Sequence, residues 1–199
     1  MTNSESSLAQ DLCARLCHDL VGPLGTIGGA MSLLGEDPEA AGLAQDAVAE
    51  MRRRLSFWRA ACGAGTGPLA LSEIATLLDG MLAGGRARFD LGAMPRDRVL
   101  PAPVAQLLLV AAMLAGEAVS RGGVVHLGPG AAAEALVLRP EGRVVAWAPG
   151  VAAALGGDAS AGPRGILATM LRVLAEGAGW RAALGAEGEA MVLRLDPRG

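Results

Sequence analysis

Apolar residues recur at steps of three and four through the first part of the chain: Leu12, Leu16, Leu20, Leu24, Ile27, Met31 and Leu34. At about 3.6 residues per turn this spacing draws one apolar stripe down a helix running from about Leu8 to Leu34. Gly35-Glu36-Asp37-Pro38 reads as a stop and a restart, with Asp37 as N-cap and Pro38 at the first helical position. A second helix follows, with apolar positions Ala44, Val48, Met51, Leu55, Trp58 and Cys62, and with Arg52, Arg53, Arg54 and Arg59 on its other sides. Two such helices on a short turn form an antiparallel hairpin with more apolar surface than one pair can bury. Pairing with a second copy into a four-helix bundle, and so a homodimer, is predicted.

Periodicity breaks at Gly63-Ala64-Gly65-Thr66-Gly67-Pro68, which reads as a linker between a first domain over 1–64 and a second over 65–199. Ser72 caps a helix to about Ala83, Arg86 to Asp90 suggests a strand, and Pro103 to Ser120 is an apolar helix ended by Gly122-Gly123. Val124 to Leu127, Ala135 to Arg139 and Val144 to Trp147 have strand character. Gly162 to Glu176 is a further helix, and Trp180 to Leu184 and Ala190 to Leu195 close as strands around a turn at Gly185 to Gly188. Helices on one face of a mixed or antiparallel sheet make the second domain an α+β sandwich.

Composition narrows the classes. The chain of 199 residues is 52% hydrophobic and 19% charged with a formal net charge of −3, a compact globular profile without the positive excess of a nucleic-acid binder. Its three cysteines, Cys13, Cys17 and Cys62, sit in helical patterns as small apolar residues and imply no disulfide framework. Met1 to Gln10 lacks the basic and apolar regions of a secretory signal. The charge-free run Val99 to Gly116 is interrupted by Pro101, Pro103 and Gln106 and is a poor membrane span. A cytoplasmic protein with no membrane and no nucleic-acid partner is expected.

Candidate chemistry centres on His18. It lies two residues from both Leu16 and Leu20, about 200° of helical rotation, so its ring projects away from the apolar stripe. The strip it shares reads Asp11, Arg15, His18, Gly22, Gly25, Gly29, nearly bare of side chains below the histidine. Glycines inside a helix cost roughly 1 kcal/mol each and an interior proline such as Pro23 about 3 kcal/mol. A smooth face on which another protein's backbone approaches His18 is one origin of this bare strip; a coding bias, seen in 29 glycines and no lysine, is the other. The second histidine, His126, falls in a strand and reads as structural. Cys13, Cys17 and His18 lack a fourth ligand for a closed zinc site, and no metal is expected.

The run His18-Asp19-Leu20, followed by Pro23-Leu24, within a hairpin that precedes an α/β domain resembles the dimerisation and catalytic domains of sensor histidine kinases. With Ala14-Arg15-Leu16-Cys17 ahead of it, the run is similar to the first helix of ChpT-type histidine phosphotransferases of alphaproteobacteria. The resemblance implies a dimeric hairpin followed by a degenerate, Bergerat-like kinase fold that binds no ATP. It also implies a histidine that takes a phosphoryl group from the receiver domain of a hybrid kinase and hands it to response regulators. Kinases of this class hold magnesium and triphosphate through asparagine in one helix. The corresponding Gln106 to Glu117 offers alanine and leucine, Asn3 is the single asparagine, and the only D-x-G, Asp90-Leu91-Gly92, precedes that helix.

On this reading His18 is the nucleophile, since an imidazole with a pKa of about 6.5 is mostly neutral at cytoplasmic pH. Asp19 orients or deprotonates its ring. Arg15, Gly22, Gly25 and Gly29 are candidate partner-binding positions, and the receiver supplies the magnesium. Gly22 stands four after the histidine, where kinases that double as phosphatases hold threonine or asparagine, so that activity is not expected. Arg52, Arg53, Arg54 and Arg59 either flank the docking groove or keep the bundle soluble. Either a pocket left by a lost nucleotide site persists, or Gly156, Gly157 and Gly162 are loop glycines where a kinase would have its lid, serving the receiver interface or nothing. An ATP-dependent histidine kinase and a non-catalytic dimeric receiver-binding adaptor are the alternative readings.

Overall fold

The computed structural model describes residues 3–63, 67–158 and 165–198. Helix α1 (Asn3–Ser32) packs along α2 (Ala40–Cys62) as the hairpin. α1 passes unbroken through Pro23, whose ring is buried. It stops two residues before the expected Leu34, because the Leu33 and Leu34 N–H groups turn back to Ala30 and Met31 at 3.1 and 3.4 Å. Gly35, at φ +99°, reverses the chain. Residues 37–39 form a further turn in which the Asp37 carboxylate accepts the Glu39 N–H at 2.8 Å. The N-cap position of α2 is therefore Glu39, and Pro38 lies before the helix instead of opening it.

Strand β1 (Leu69–Ala70) leads into α3 (Leu71–Leu82), followed by β2 (Ala87–Asp90), β3 (Val99–Leu100) and α4 (Ala102–Ala118). Ser72 does not cap α3. Arg98 and Arg96 carbonyls take the Leu71 and Ser72 N–H groups at 2.9 Å each, and the Glu73 carboxylate reaches back to the Ala70 N–H at 2.8 Å. Tertiary contact supplies what a side-chain cap would have done. The remaining elements are β4 (Gly123–Pro129), β5 (Leu136–Gly142), α5 (Val151–Leu155), α6 (Ile166–Gly177), β6 (Trp180–Glu187) and β7 (Ala190–Pro197).

The main sheet has five strands in the order β2-β4-β5-β7-β6, with β2 parallel to β4 and the other pairs antiparallel; β1 and β3 form a separate pair. β6 and β7 extend beyond the expected strands and join through a tight turn with Gly188 at φ +62°. Val144 to Trp147 is not a strand. That segment is tied to α4 by Ala146 N–H donating to the Ala118 carbonyl at 2.8 Å, and to β7 by the Trp147 indole donating to the Met191 carbonyl at 3.2 Å. Part of the helix expected from Gly162 lies outside the described residues.

Alternation along β4 and β5 turns Val125, Leu127, Leu136 and Leu138 toward α4 and α6, where Leu107, Leu108, Leu109, Leu167 and Leu171 are buried. This core continues into the hairpin through Phe57, Trp58 and Ala61, with Leu8, Leu12 and Leu16 packed against it. The far part of the hairpin differs: Leu24, Met31, Leu34, Val48 and Leu55 are exposed, so half of the apolar stripe has no cover within the chain. Among the described residues no helix is long and apolar enough to cross a membrane.

The cysteines are surface residues and not packed ones. Cys62 is exposed as a whole, yet desolvation at its thiol pushes its pKa up to about 11. Two measurements test this architecture. Leu108→Ala lowers unfolding free energy in urea titrations by about 2–5 kcal/mol, because Leu108 is fully buried. Iodoacetamide labelling of Cys62, followed by peptide mass mapping, stays slow at pH 8 and accelerates toward pH 11, since only the thiolate reacts.

Candidate functional site

One residue along a helix is about 100° of rotation, which separates the fates of two neighbours on α1. His18 projects outward with its side chain 82% exposed, while Asp19 turns toward α2 and α4 and is 6% exposed. His18 Nδ1 lies 3.3 Å from Asp19 Oδ1. On its other side the carboxylate accepts the Trp58 indole N–H at 3.2 Å through Oδ2. Arg15 Nε sits 3.3 Å from Oδ1 and 3.4 Å from Oδ2. A carboxylate so deeply placed costs several kcal/mol in desolvation unless it is paired and hydrogen-bonded, and Arg15 and Trp58 offset that cost.

Arg15 is itself anchored. Its Nη1 donates to Glu117 Oε1 of α4 at 2.8 Å. Burial opposes its charge, but Glu117 and Asp19 together overcome that and raise the guanidinium pKa above its ordinary value. Spacing alone places Arg15 on the open strip beside His18; the structure turns its guanidinium inward across the hairpin to α4. Gly22, Gly25 and Gly29 do lie on that open strip, with nothing within 4 Å of where a Cβ would stand.

Proline has no N–H, so Pro23 cannot donate to the carbonyl four residues earlier, that of Asp19. Arg54 of α2 takes the missing place: its Nη1 donates to the Asp19 main-chain oxygen at 2.8 Å while its Nη2 pairs with Glu50. Arg54 therefore bonds across the hairpin to the α1 main chain, a role beyond keeping the bundle soluble. Arg53 lays its aliphatic stem against Gly80 of α3, where an added Cβ would come within 3.3 Å of it. Arg15, Asp19, Arg54 and Glu117 line a cleft of about 550 Å³ between the hairpin, the end of α4 and the turn at Gly84-Gly85.

Trp58 and Glu117 were not recognisable as site residues from the pattern, and Arg54 stood there only among four arginines of undecided role. Trp58 satisfied an apolar seam, and Glu117 closes an otherwise apolar helix. The available signals were an arginine four residues before an aspartate and a proline four residues after it. His126 sits on the main sheet with Nδ1 3.0 Å from Asp90 and Nε2 3.3 Å from Glu141. The Gly92 N–H and then His126 hold the Asp90 carboxyl below its usual range. Among the described residues no group of three or more His, Cys, Asp or Glu side chains is placed to hold a metal.

The substitution of one donor by another predicts coupling. Arg54→Met destabilises the protein by about 1–3 kcal/mol by orphaning the Asp19 carbonyl. In a Pro23→Ala background, where residue 23 has an N–H again, the same change costs measurably less. Denaturant unfolding of the four proteins in this cycle reads the difference.

Residues 71–190 match the family model for the histidine phosphotransferase C-terminal domain. Over 67 residues the chain is 37% identical to the protein phosphotransferase ChpT of Brucella abortus (strain 2308), an alignment covering 32% of this chain and 32% of that protein; the match thus spans about a third of the relative's length. The 1.7 Å structure of a bacterial phosphotransferase superposes with a TM-score of 0.76 at 25% identity, over 98% of each chain. A blue-light activated histidine kinase of Erythrobacter litoralis EL346 aligns with a TM-score of 0.46 at 17% identity, over 99% of this chain and 60% of the kinase. With the family model matching more than half of its length, the chain belongs to the histidine phosphotransferase family.

Proposed function

We propose that this protein is a phosphorelay intermediate: His18 accepts a phosphoryl group from the aspartyl phosphate of a receiver domain and passes it to the aspartate of a response regulator. The observation that carries the reading is an exposed imidazole whose Nδ1 faces a buried, anchored carboxylate. With the ring proton on Nδ1 and donated to Asp19, the lone pair stands on Nε2, which faces solvent. Nε2 attacks phosphorus, the N–P bond forms as the P–O bond to the receiver's carboxylate breaks, and the receiver regains a free aspartate. The positive charge that develops on the ring is offset by Asp19. The reverse steps deliver the group to the second receiver. Magnesium belongs to the receiver, and this chain's task is positioning.

The second domain works without ATP. Along α4, Ala111, Ala112 and Ala115 are essentially buried among apolar neighbours, and Ala146 binds the main chain at the helix end. That helix has no polar face with which to hold a triphosphate and its metal. The exposed strip of Leu24, Met31, Val48 and Leu55 is the seam on which a second copy completes a four-helix bundle, with a degenerate kinase-type sandwich following each hairpin. Gly22, Gly25 and Gly29 leave room for a receiver backbone below His18.

Incubation with a radiolabelled phosphorylated receiver gives an acid-labile, base-stable label on the wild type and none on His18→Ala. Labelled ATP alone labels neither. Asp19→Asn, whose amide no longer enforces the Nδ1–H tautomer, slows transfer by about 100-fold. Label from ATP would instead establish a kinase, and label from the receiver on neither protein would establish an adaptor.

A further inference from the structure

We propose that Glu117 of α4 is a positioning residue for this transfer, acting through Arg15 on Asp19 and so on the His18 ring; the inference rests on the phosphorelay reading above. Asp19 Oδ1 is contested. Arg15 Nε and His18 Nδ1 both lie 3.3 Å from it. Arg15 makes its shorter bond elsewhere, to Glu117 at 2.8 Å. Glu117 therefore decides where the guanidinium rests, and it holds the group back from a fork-to-fork pairing with both Asp19 oxygens. Held there, Arg15 neutralises the buried carboxylate yet leaves Oδ1 with capacity for the ring.

The location of Glu117 supports a purpose. It lies in the last turn of α4, where the negative end of the helix dipole disfavours a carboxylate, and every α4 position from Leu107 to Gly116 is buried and non-polar. Arg15 supplies the cation that makes this placement tolerable. The cleft beside the pair leaves the guanidinium space to swing once Glu117 lets go. Through this one residue the α/β domain sets the orientation of a nucleophile on a different helix, a task that needs no nucleotide.

The test uses full-length wild type, Glu117→Gln, Glu117→Asp and Arg15→Lys, each first shown to melt cooperatively. 15N NMR of the unphosphorylated proteins reads the His18 tautomer, and time courses with a phosphorylated receiver read rate and KM. In Glu117→Gln the Nδ1–H share of His18 falls and transfer slows about tenfold at unchanged KM. Glu117→Asp restores most of both. Arg15→Lys, whose compact ammonium lacks the planar fork that presents Nε to Asp19 and Nη1 to Glu117 in a fixed geometry, shows the same loss and decides the matter if Glu117→Gln unfolds. Wild-type ring shifts and rate in Glu117→Gln, or a change in KM alone, overturn the inference. No label from the receiver on the wild type would instead remove the phosphorelay reading, while the ring shifts would still report the contact.

Discussion

A buried carboxylate beneath an exposed imidazole organises this molecule. Asp19 is the one buried charged side chain among the described residues, and its carboxylate and its main-chain oxygen are met by residues from more than one element. Trp58 of α2 serves Oδ2, Arg54 of α2 serves the main-chain oxygen, and Arg15 joins the side chain to α4. An ionised group at that depth is tolerable only when these partners are all in place. The same requirement that stabilises the charge therefore fixes how α1, α2 and α4 meet, and it fixes them one residue away from His18.

Pro23 belongs to that arrangement and is not a flaw in the helix. Its missing N–H opens the Asp19 carbonyl to a donor from outside the helix, and Arg54 enters there. A hydrogen bond that would have closed α1 on itself becomes a bond between helices. The glycines beyond Pro23 weaken the helix further, and the buried inner face, with Pro23 and Ala30 against α2, supplies the compensation. Most of the apolar residues that α1 and α2 leave uncovered, Leu24, Met31, Val48 and Leu55 among them, lie along the hairpin, and Val21 is exposed as well.

The α/β domain shows how far packing alone carries a fold. Its central helix buries small and branched apolar residues against the sheet on one side and against α2 and α6 on others, and polar chemistry is left to its ends. At one end Glu117 meets Arg15; just beyond it the Ala118 carbonyl meets Ala146. The domain thus touches the hairpin through an ion pair and through a shared core that includes Phe57 and Trp58, whose rings meet edge to face at 5.5 Å.

Local sequence determined the hairpin, the alternation of helices and strands behind it, and the outward placement of His18, because each depends on periodicity and turn chemistry within a few residues. It misjudged helix starts at Asp37 and Ser72, where neighbouring carbonyls and turns displaced the side-chain cap. It also read Val144 to Trp147 as a strand, although its hydrogen bonds go to α4 and β7. Only the tertiary structure decided that Arg15 faces inward, that Arg54 replaces the donor Pro23 lacks, and that Glu117 belongs to the site. Those pairings join residues 35 and 102 positions apart. A helical pattern specifies which face a side chain occupies, but the partner across that face is set by the packing of elements that the pattern does not relate.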